Sequence, residues 1–423
     1  MNSSGCLLVI CLWAAIPRPG AAEEDAVAAP WRGPAVDFVK GPKGQITGGW
    51  WQGGAVGVAH FTGPGAQKHP TIEKISRAVA AARGLPFVDI NRDDVVESDA
   101  DPNSALLYPD GTSRVCLLMM PGGQSANTVH DVAGIDKGLV KRDYSAAVAA
   151  LEKARGLPRQ AVATGMNYVG CCGGAYTGAS GYTIPNTLVT GWCLWPGRLT
   201  GLGPEQKKPF PAVVFADTLA ADHPLRAVGG ERLEDMFFNG GPLDFEAGVP
   251  HTEYVATYEG GAATELEGKH WLVAYLPADQ PASGRVVLCS AHPEANHPDV
   301  FRAMQEYAIA RPYVVPRNLV KGTKPLKGVS GDRQLQYYCV PAVAGKKMTV
   351  TLSSDEGRCS LFVRHDLPPL FDVNDGAATE AGVAEKKVEI KPTKKGDYHI
   401  GVYGDHDDVR GVPYTLTVKM AVK

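Results

Sequence analysis

The sequence predicts an open α/β sheet carrying a β-rich insertion, followed by an all-β sandwich. Three observations lead there. Apolar runs alternate with helix-period segments along the first half of the chain, as strand–helix–strand crossovers over a mostly parallel sheet require. A cysteine pair flanked by glycines, Gly170-Cys171-Cys172-Gly173-Gly174, stands where a strand gives way to a helix. From Gln334 onward there are only short alternating runs separated by turn residues, the texture of a sandwich.

The length of 423 residues accommodates two or more domains. With 44% hydrophobic and 21% charged residues the composition is that of a globular protein, and a net charge of −3 argues against a nucleic-acid partner. Nine scattered cysteines do not make a disulfide scaffold, and neither a C-x-x-C pair nor an H-E-x-x-H helix is present, so no metal site and no cofactor is expected.

Taken in order, residues 1–28 read as a signal peptide and the start of a linker. Cys6 to Ile16 is an apolar run of signal length, too short for a stable membrane anchor, and small residues follow it. Cleavage fits after Ala22 or after Ala28, although Lys and Arg are missing ahead of the run. Export to the periplasm or the exterior is the expectation. No later apolar segment has the length to cross a membrane. Residues 29–49, rich in Pro, Gly and Ala, read as linker.

The α/β domain is placed at 50–315. Ala55–Ala59 is its first short apolar run, and Thr71 to Ala82 has helical spacing. Phe87–Ile90 reads as a strand. Val115–Met120 is continuously apolar, as suits a strand buried on both faces, and it ends in Pro121-Gly122-Gly123. Tyr144 to Arg155 is helical and stops at Gly156-Leu157-Pro158. The β-rich insertion covers 181–241, with a helical period only at Glu231 to Phe238. Tyr254–Tyr258 and Trp271–Tyr275 alternate as paired strands, Arg285–Cys289 is a buried strand, and Pro298 to Ala310 closes the domain as a helix. A basic linker at 316–330 leads to the sandwich at 331–423, in which Cys339 and Cys359 are either a disulfide or two core thiols.

The chemistry concentrates on three strand ends. G-x-C-x-G, from Gly170 to Gly174, is the thiol form of a nucleophile elbow, where the residues two before and two after must be small. Cys172 meets that condition and Cys171, with Val169 two before it, meets it less well. The same residues would also make a plain Gly-rich strand end with two core cysteines. Ser290-Ala291-His292-Pro293-Glu294 supplies a base and an orienting carboxylate in an i, i+2 pair. Glu294 alternatively caps the next helix, and His297 competes with His292 as the base. The amide of Gly173 and one from Gly122-Gly123, Gly123 by preference, are the oxyanion donors. Gly122, Tyr176, Asn239 and Gly240 are candidates for the substrate wall, against a simpler role in packing and turns. Loops that follow parallel strands open on one edge of the sheet, so the three strand ends are expected together.

Gly170-Cys171-Cys172-Gly173-Gly174-Ala175-Tyr176 resembles the signature of the biotin-protein-ligase N-terminal-domain family, a branch of the class I glutamine amidotransferase-like superfamily. Met120-Pro121-Gly122-Gly123, Phe237-Phe238-Asn239-Gly240-Gly241 and Ser290–Glu294 fall in that family's order. The resemblance implies a flavodoxin-like fold and a Cys–His–Glu triad at Cys172, His292 and Glu294. Gly173 stands where the family usually has Ala, which reads as a mild change. No biotin-ligase or ammonia-consuming synthetase domain accompanies it, so neither ligation nor amidotransfer is implied. The C-terminal part resembles the bacterial pre-peptidase C-terminal domain through Leu361–Arg364, Leu367-Pro368-Pro369 and Gly396–Gly404. It implies an accessory module that contacts the envelope or a polysaccharide.

The expectation is an exported thiol hydrolase acting on an amide or related C–N bond of a small molecule or peptide. The alternative is a ligand-binding protein that keeps the scaffold without turnover.

Overall fold

The computed structural model describes residues 36–40, 46–51, 57–67, 69–98, 101, 103–135, 142–181, 191–280, 282–310, 312–313, 320, 324–391 and 393–421. The signal segment predicted at 1–28 lies outside them. By its internal contacts Arg32–Lys423 is one compact unit. Its first strands, β1 (Val36–Lys40) and β2 (Ile46–Trp51), pair antiparallel, and all of β1 and most of β2 lie in the stretch 29–49 read as linker. Next come β3 (Gly57–Phe61), α1 (Pro70–Ala82), β4 (Phe87–Ile90), α2 (Arg92–Val95), β5 (Val115–Met120), α3 (Ser125–Val132), α4 (Tyr144–Ala154), α5 (Gly156–Ala163), β6 (Asn167–Cys171) and α6 (Gly173–Gly178).

The chain continues through β7 (Leu199–Leu202), β8 (Ala212–Phe215), α7 (Pro224–Gly229), β9 (Arg232–Leu233), β10 (Pro242–Phe245), β11 (Thr252–Glu259) and β12 (His270–Tyr275). It returns through β13 (Val286–Cys289), α8 (Pro293–Asn296), α9 (Pro298–Ile309) and β14 (Pro312–Tyr313).

Nine strands form one sheet in the order β4-β3-β5-β6-β13-β12-β11-β8-β9. The first five run parallel and the other four extend the sheet antiparallel. The expected mostly parallel sheet is therefore a mixed one. The reason lies in β11 and β12, whose hairpin adds antiparallel strands beside β13. β5 is buried at all six positions, which fits helices on both faces.

Two local expectations change. Gly156-Leu157-Pro158 does not end helical structure, because α5 begins there. Pro158 lies in its first turn, where a missing N–H costs no bond. Glu231 to Phe238 is not a helix. Met236 and Phe238 are buried while Phe237 between them is half-exposed, a period of two. Met236 N–H donates to Pro211 O at 2.8 Å.

The sandwich consists of β15 (Leu326–Ser330), β16 (Leu335–Ala342), β17 (Met348–Ser354), β18 (Cys359–His365), β19 (Gly376–Ala378), β20 (Glu385–Ile390), β21 (Gly396–Gly404) and β22 (Val412–Met420). Its sheets run β15-β22-β17-β20 and β16-β21-β18-β19. β15 occupies the end of the segment read as linker. Cys339 and Cys359 are not joined to each other. They face His399 and Gly404 on the shared neighbour β21, five residues and roughly 17 Å apart, beyond disulfide reach.

The sandwich is bonded to the loop that feeds β5. Arg114 reaches Asp332 at 2.8 Å and Asp101 at 3.2 Å. Gln334 and Gln336 both donate to Asp110, at 2.7 and 3.0 Å.

Candidate active site

The strand–helix turn at Cys172 holds the conformation that an elbow demands. Cys172 has φ 50° and ψ −108°, between β6 and α6. Such a backbone costs on the order of 1–3 kcal/mol and survives only where neighbours enforce it. Cys172 N–H donates to Cys289 O at 2.8 Å, and Tyr168 Oη donates to Gly174 O at 2.7 Å. A Cβ on Gly170 would lie 2.4 Å from Gly174 O, and one on Gly174 would lie 2.2 Å from Met120 O. Glycine at both places is therefore steric necessity, since β6, α6 and the end of β5 touch there.

The three strand ends do meet. Cys172, His292 and Glu294 are 7%, 5% and 4% exposed. His292 Nδ1 lies 2.9 Å from Glu294 Oε1, which leaves the ring's other nitrogen for the Cys172 sulfur, to which His292 is hydrogen-bonded. Glu294 lies in the first turn of α8 and its carboxylate serves His292. His297 instead bonds Glu234 O at 2.8 Å, so the structure brings His292, not His297, to the thiol.

Burial alone would push the Cys172 thiol up. The charge and hydrogen bond of His292, together with the amide of Gly123, outweigh it and bring the thiol below its ordinary value. Burial likewise opposes a charged His292, yet Cys172 and Glu294 hold that imidazole well above its ordinary range. Both shifts favour a thiolate–imidazolium pair. The neighbouring Cys171 goes the other way. Burial, then the hydrogen bond its thiol makes to Cys289, raises it well above an ordinary thiol.

Gly123 N–H points at the sulfur, so it lies within reach of an atom bonded there. Its loop is braced by the segment after β3: Gln67 N–H donates to Gly122 O and Gln124 N–H to Gly65 O, each at 2.8 Å. Gly173 packs against that loop so closely that its Cβ would lie 2.3 Å from Gly123 O. An alanine at this position would therefore not be a mild change, because only glycine permits this approach. Gly122 faces His292, with a would-be Cβ 2.9 Å from Cε1.

Asn239 O is 3.9 Å from Cys172 Sγ and accepts from the neutral thiol. Gly240, at φ 69°, has open space where a side chain would stand. Tyr176 is buried, and its hydroxyl donates to Gly201 O at 3.1 Å. It anchors β7 to α6.

Sequence reasoning missed two neighbours. His69 precedes α1, and burial lowers its imidazole more than nearby Glu294 raises it. Phe237 lies edge-on to His292 at 5.5 Å between centroids. The doublet Phe237-Phe238 marked a family segment, but only the two-residue burial period tells which ring faces the site. Among the described residues no cluster of His, Cys, Asp and Glu could hold a metal, and no helix is long and apolar enough to cross a membrane.

No family model and no curated protein matches the chain. Among solved structures, it is similar to the pre-peptidase C-terminal domain of collagenase from Bacillus anthracis. That match is 17% identical, covers 25% of this chain and 97% of that one, and has a TM-score of 0.22. PliG from Aeromonas hydrophila, a periplasmic inhibitor of g-type lysozyme, is 24% identical over 25% of this chain and 96% of that one, with a TM-score of 0.21. The lipase BlEst2 of Bacillus licheniformis is 11% identical over 86% and 75%, with a TM-score of 0.17. Similarity at this level leaves the chemistry to the site's own geometry.

Proposed function

We propose that the protein is an exported Cys–His–Glu hydrolase of an amide or related C–N bond. The observation that carries this reading is the thiol of Cys172, bonded to His292, which is itself held on Glu294 at 2.9 Å. The parallel half of the sheet, with strand order β4-β3-β5-β6-β13, supports a flavodoxin-like, class I glutamine amidotransferase-like scaffold, whose loops open beyond the strand ends. The apolar run from Cys6 to Ile16 supports export.

In this reading the Cys172 thiolate attacks the acyl carbon and an S–C bond forms. The amides of Gly123 and Gly173 hold the oxyanion. His292 passes its proton to the leaving nitrogen as the C–N bond breaks, giving an amine and an acyl-thioester. Water then attacks the thioester with His292 as base, releasing the acid and restoring the thiol. Glu294 keeps the imidazole oriented and supports its charge. The low exposure of all three side chains favours a second reading, a binder without turnover.

Hydrolysis of a panel of amides and peptides by wild type and by Cys172→Ser separates the two. Turnover in wild type that disappears in Cys172→Ser is expected. Binding without any thioester or product would establish the binder instead. Iodoacetamide labelling at neutral pH is the companion measurement. Cys172 should react faster than the half-exposed Cys193, and equal rates would remove the activated thiol.

A further inference from the structure

Beside the thiol runs a shelf of side chains that the proposed chemistry does not use. Phe237 covers one edge of His292, with ring centroids 5.5 Å apart. Phe210 meets Phe237 edge-on at 5.2 Å. The ammonium of Lys208 stands 5.7 Å from the centre of the Phe210 ring. Both rings are half-exposed, and Lys208 is open to solvent.

The shelf is held in place rather than draped. His292 N–H donates to Phe237 O at 2.9 Å, and Met236 N–H to Pro211 O at 2.8 Å. Phe237 N–H also donates to Asn296 Oδ1 at 3.4 Å. Of the two adjacent lysines, Lys207 is engaged by Glu265 at 2.9 Å. Lys208 has no carboxylate partner among the described residues. It is a cation kept over the Phe210 ring with no carboxylate to neutralise it, and such a group recognises an anion. Aromatic rings left half-exposed beside a nucleophile offer apolar area to a ligand.

Resting on the hydrolase reading, we infer that the substrate is a short peptide or peptide-like amide. It carries an apolar side chain next to the scissile bond and a free carboxylate further along. Phe237 and Phe210 take the apolar group and Lys208 takes the carboxylate. The three spacings place Lys208 up to roughly 16 Å from His292, a span that an extended chain covers in four or five residues and a bent shelf in fewer.

The test uses bromoacetyl-Phe-Gly-Gly as the free acid and as its carboxamide. The Cys172 thiolate displaces bromide and forms a thioether, and mass spectrometry locates the adduct. Each rate is divided by the same variant's iodoacetamide rate, which isolates recognition from thiol activation. In wild type the acid should label about three times faster than the carboxamide, the size expected of one solvent-exposed charge pair. Lys208→Gln should bring the ratio to one, and Lys208→Glu should invert it. Phe210→Ala should slow the Phe probe about tenfold relative to bromoacetyl-Gly-Gly-Gly. Equal wild-type rates for acid and carboxamide, or a ratio that Lys208→Gln leaves standing, would overturn the assignment. A failure of the hydrolase reading is seen separately, as loss of the iodoacetamide preference for Cys172.

Discussion

The α/β sheet and the sandwich each bury a cysteine beside basic side chains, and the two thiols are driven in opposite directions. In the sandwich, burial raises Cys359, and the nearby hydroxyls of Ser354 and Ser330 with the charges of Lys386 and Arg358 do not offset it. Lys386 spends its protons on the carbonyls of Gly357 and Cys359, at 2.7 and 2.5 Å, and burial lowers its own value. At the sheet edge, burial also opposes the Cys172 thiolate, yet the thiol ends below its ordinary value. The difference is His292, whose charge is upheld first by Cys172 and then by Glu294. Glu294 holds the ring by Nδ1, and Gly123 adds an aligned amide. A nearby cation does not activate a buried thiol unless that cation is itself supported and bonded to the sulfur.

This contrast can be tested first at the seam between the regions. Arg114 is buried against Asp332 and Asp101. Arg114→Ala should destabilise the protein by about 3 kcal/mol at neutral pH, because it strands two partly buried carboxylates. Burial already raises Asp332, against the opposing pull of Arg114. The folded state thus favours the neutral acid, a contribution present at low pH and lost as pH rises through the folded value. The defect should accordingly shrink when Asp332 is protonated. Denaturant melts of wild type and variant at pH 4 and pH 7 check this. Two independent transitions in wild type would show regions that merely adjoin.

His292→Ala tests the activation itself. Alkylation of Cys172 at pH 7 should fall about a hundredfold, equivalent to about 2.7 kcal/mol. In wild type, reactivity should be lost as pH falls through the lowered thiol value. The ion pair ends at the other side, as pH rises through the raised imidazole value. In the variant the rise should move to higher pH while Cys359 is unchanged. A pH–rate series followed by mass spectrometry gives both curves.

How much of this was legible in the sequence depends on the range of the interactions. Phe87–Ile90 and Val115–Met120 coincide with β4 and β5, because short apolar runs bounded by turn residues carry their own signal. The convergence of Cys172, His292 and Glu294 was legible because they follow strands whose neighbours could be ordered by the crossover rule. The antiparallel extension was not, since no local pattern says on which side of β13 the β11–β12 hairpin attaches. Nor was the role of Gly173, which depends on a loop fifty residues away in the chain. Phe210 likewise owes its place beside Phe237 to the bond between Met236 and Pro211, a contact between segments that share no local motif.

That long-range contact makes Gly173→Ala the next test. A methyl group there would meet Gly123 O at 2.3 Å and Gly123 N at 2.7 Å, so the loop must retreat from the sulfur. Loss of about 1–2 kcal/mol of stability is expected from overpacking, with alkylation of Cys172 falling about tenfold as the amide withdraws. A thermal melt and the alkylation rate together check it. Unchanged labelling would remove Gly123 from the set of groups that activate the thiol.

The smallest effect is expected at the adjacent residue, where the contrast is sharpest. Cys171 and Cys172 are consecutive, but Cys171 is wholly buried and faces Cys289 across β6 and β13. Burial dominates there, no amide or supported imidazole reaches the sulfur, and the thiol stays neutral. Cys171→Ala should therefore cost about 1 kcal/mol, the scale of a lost buried sulfur and a weak hydrogen bond. Alkylation of Cys172 should remain within about twofold of wild type, since the shift at Cys172 has its main causes in His292 and Gly123. A large fall in Cys172 labelling, with the melting temperature little changed, would mean that the two thiols act as a pair, and the opposite behaviour of adjacent cysteines would no longer stand.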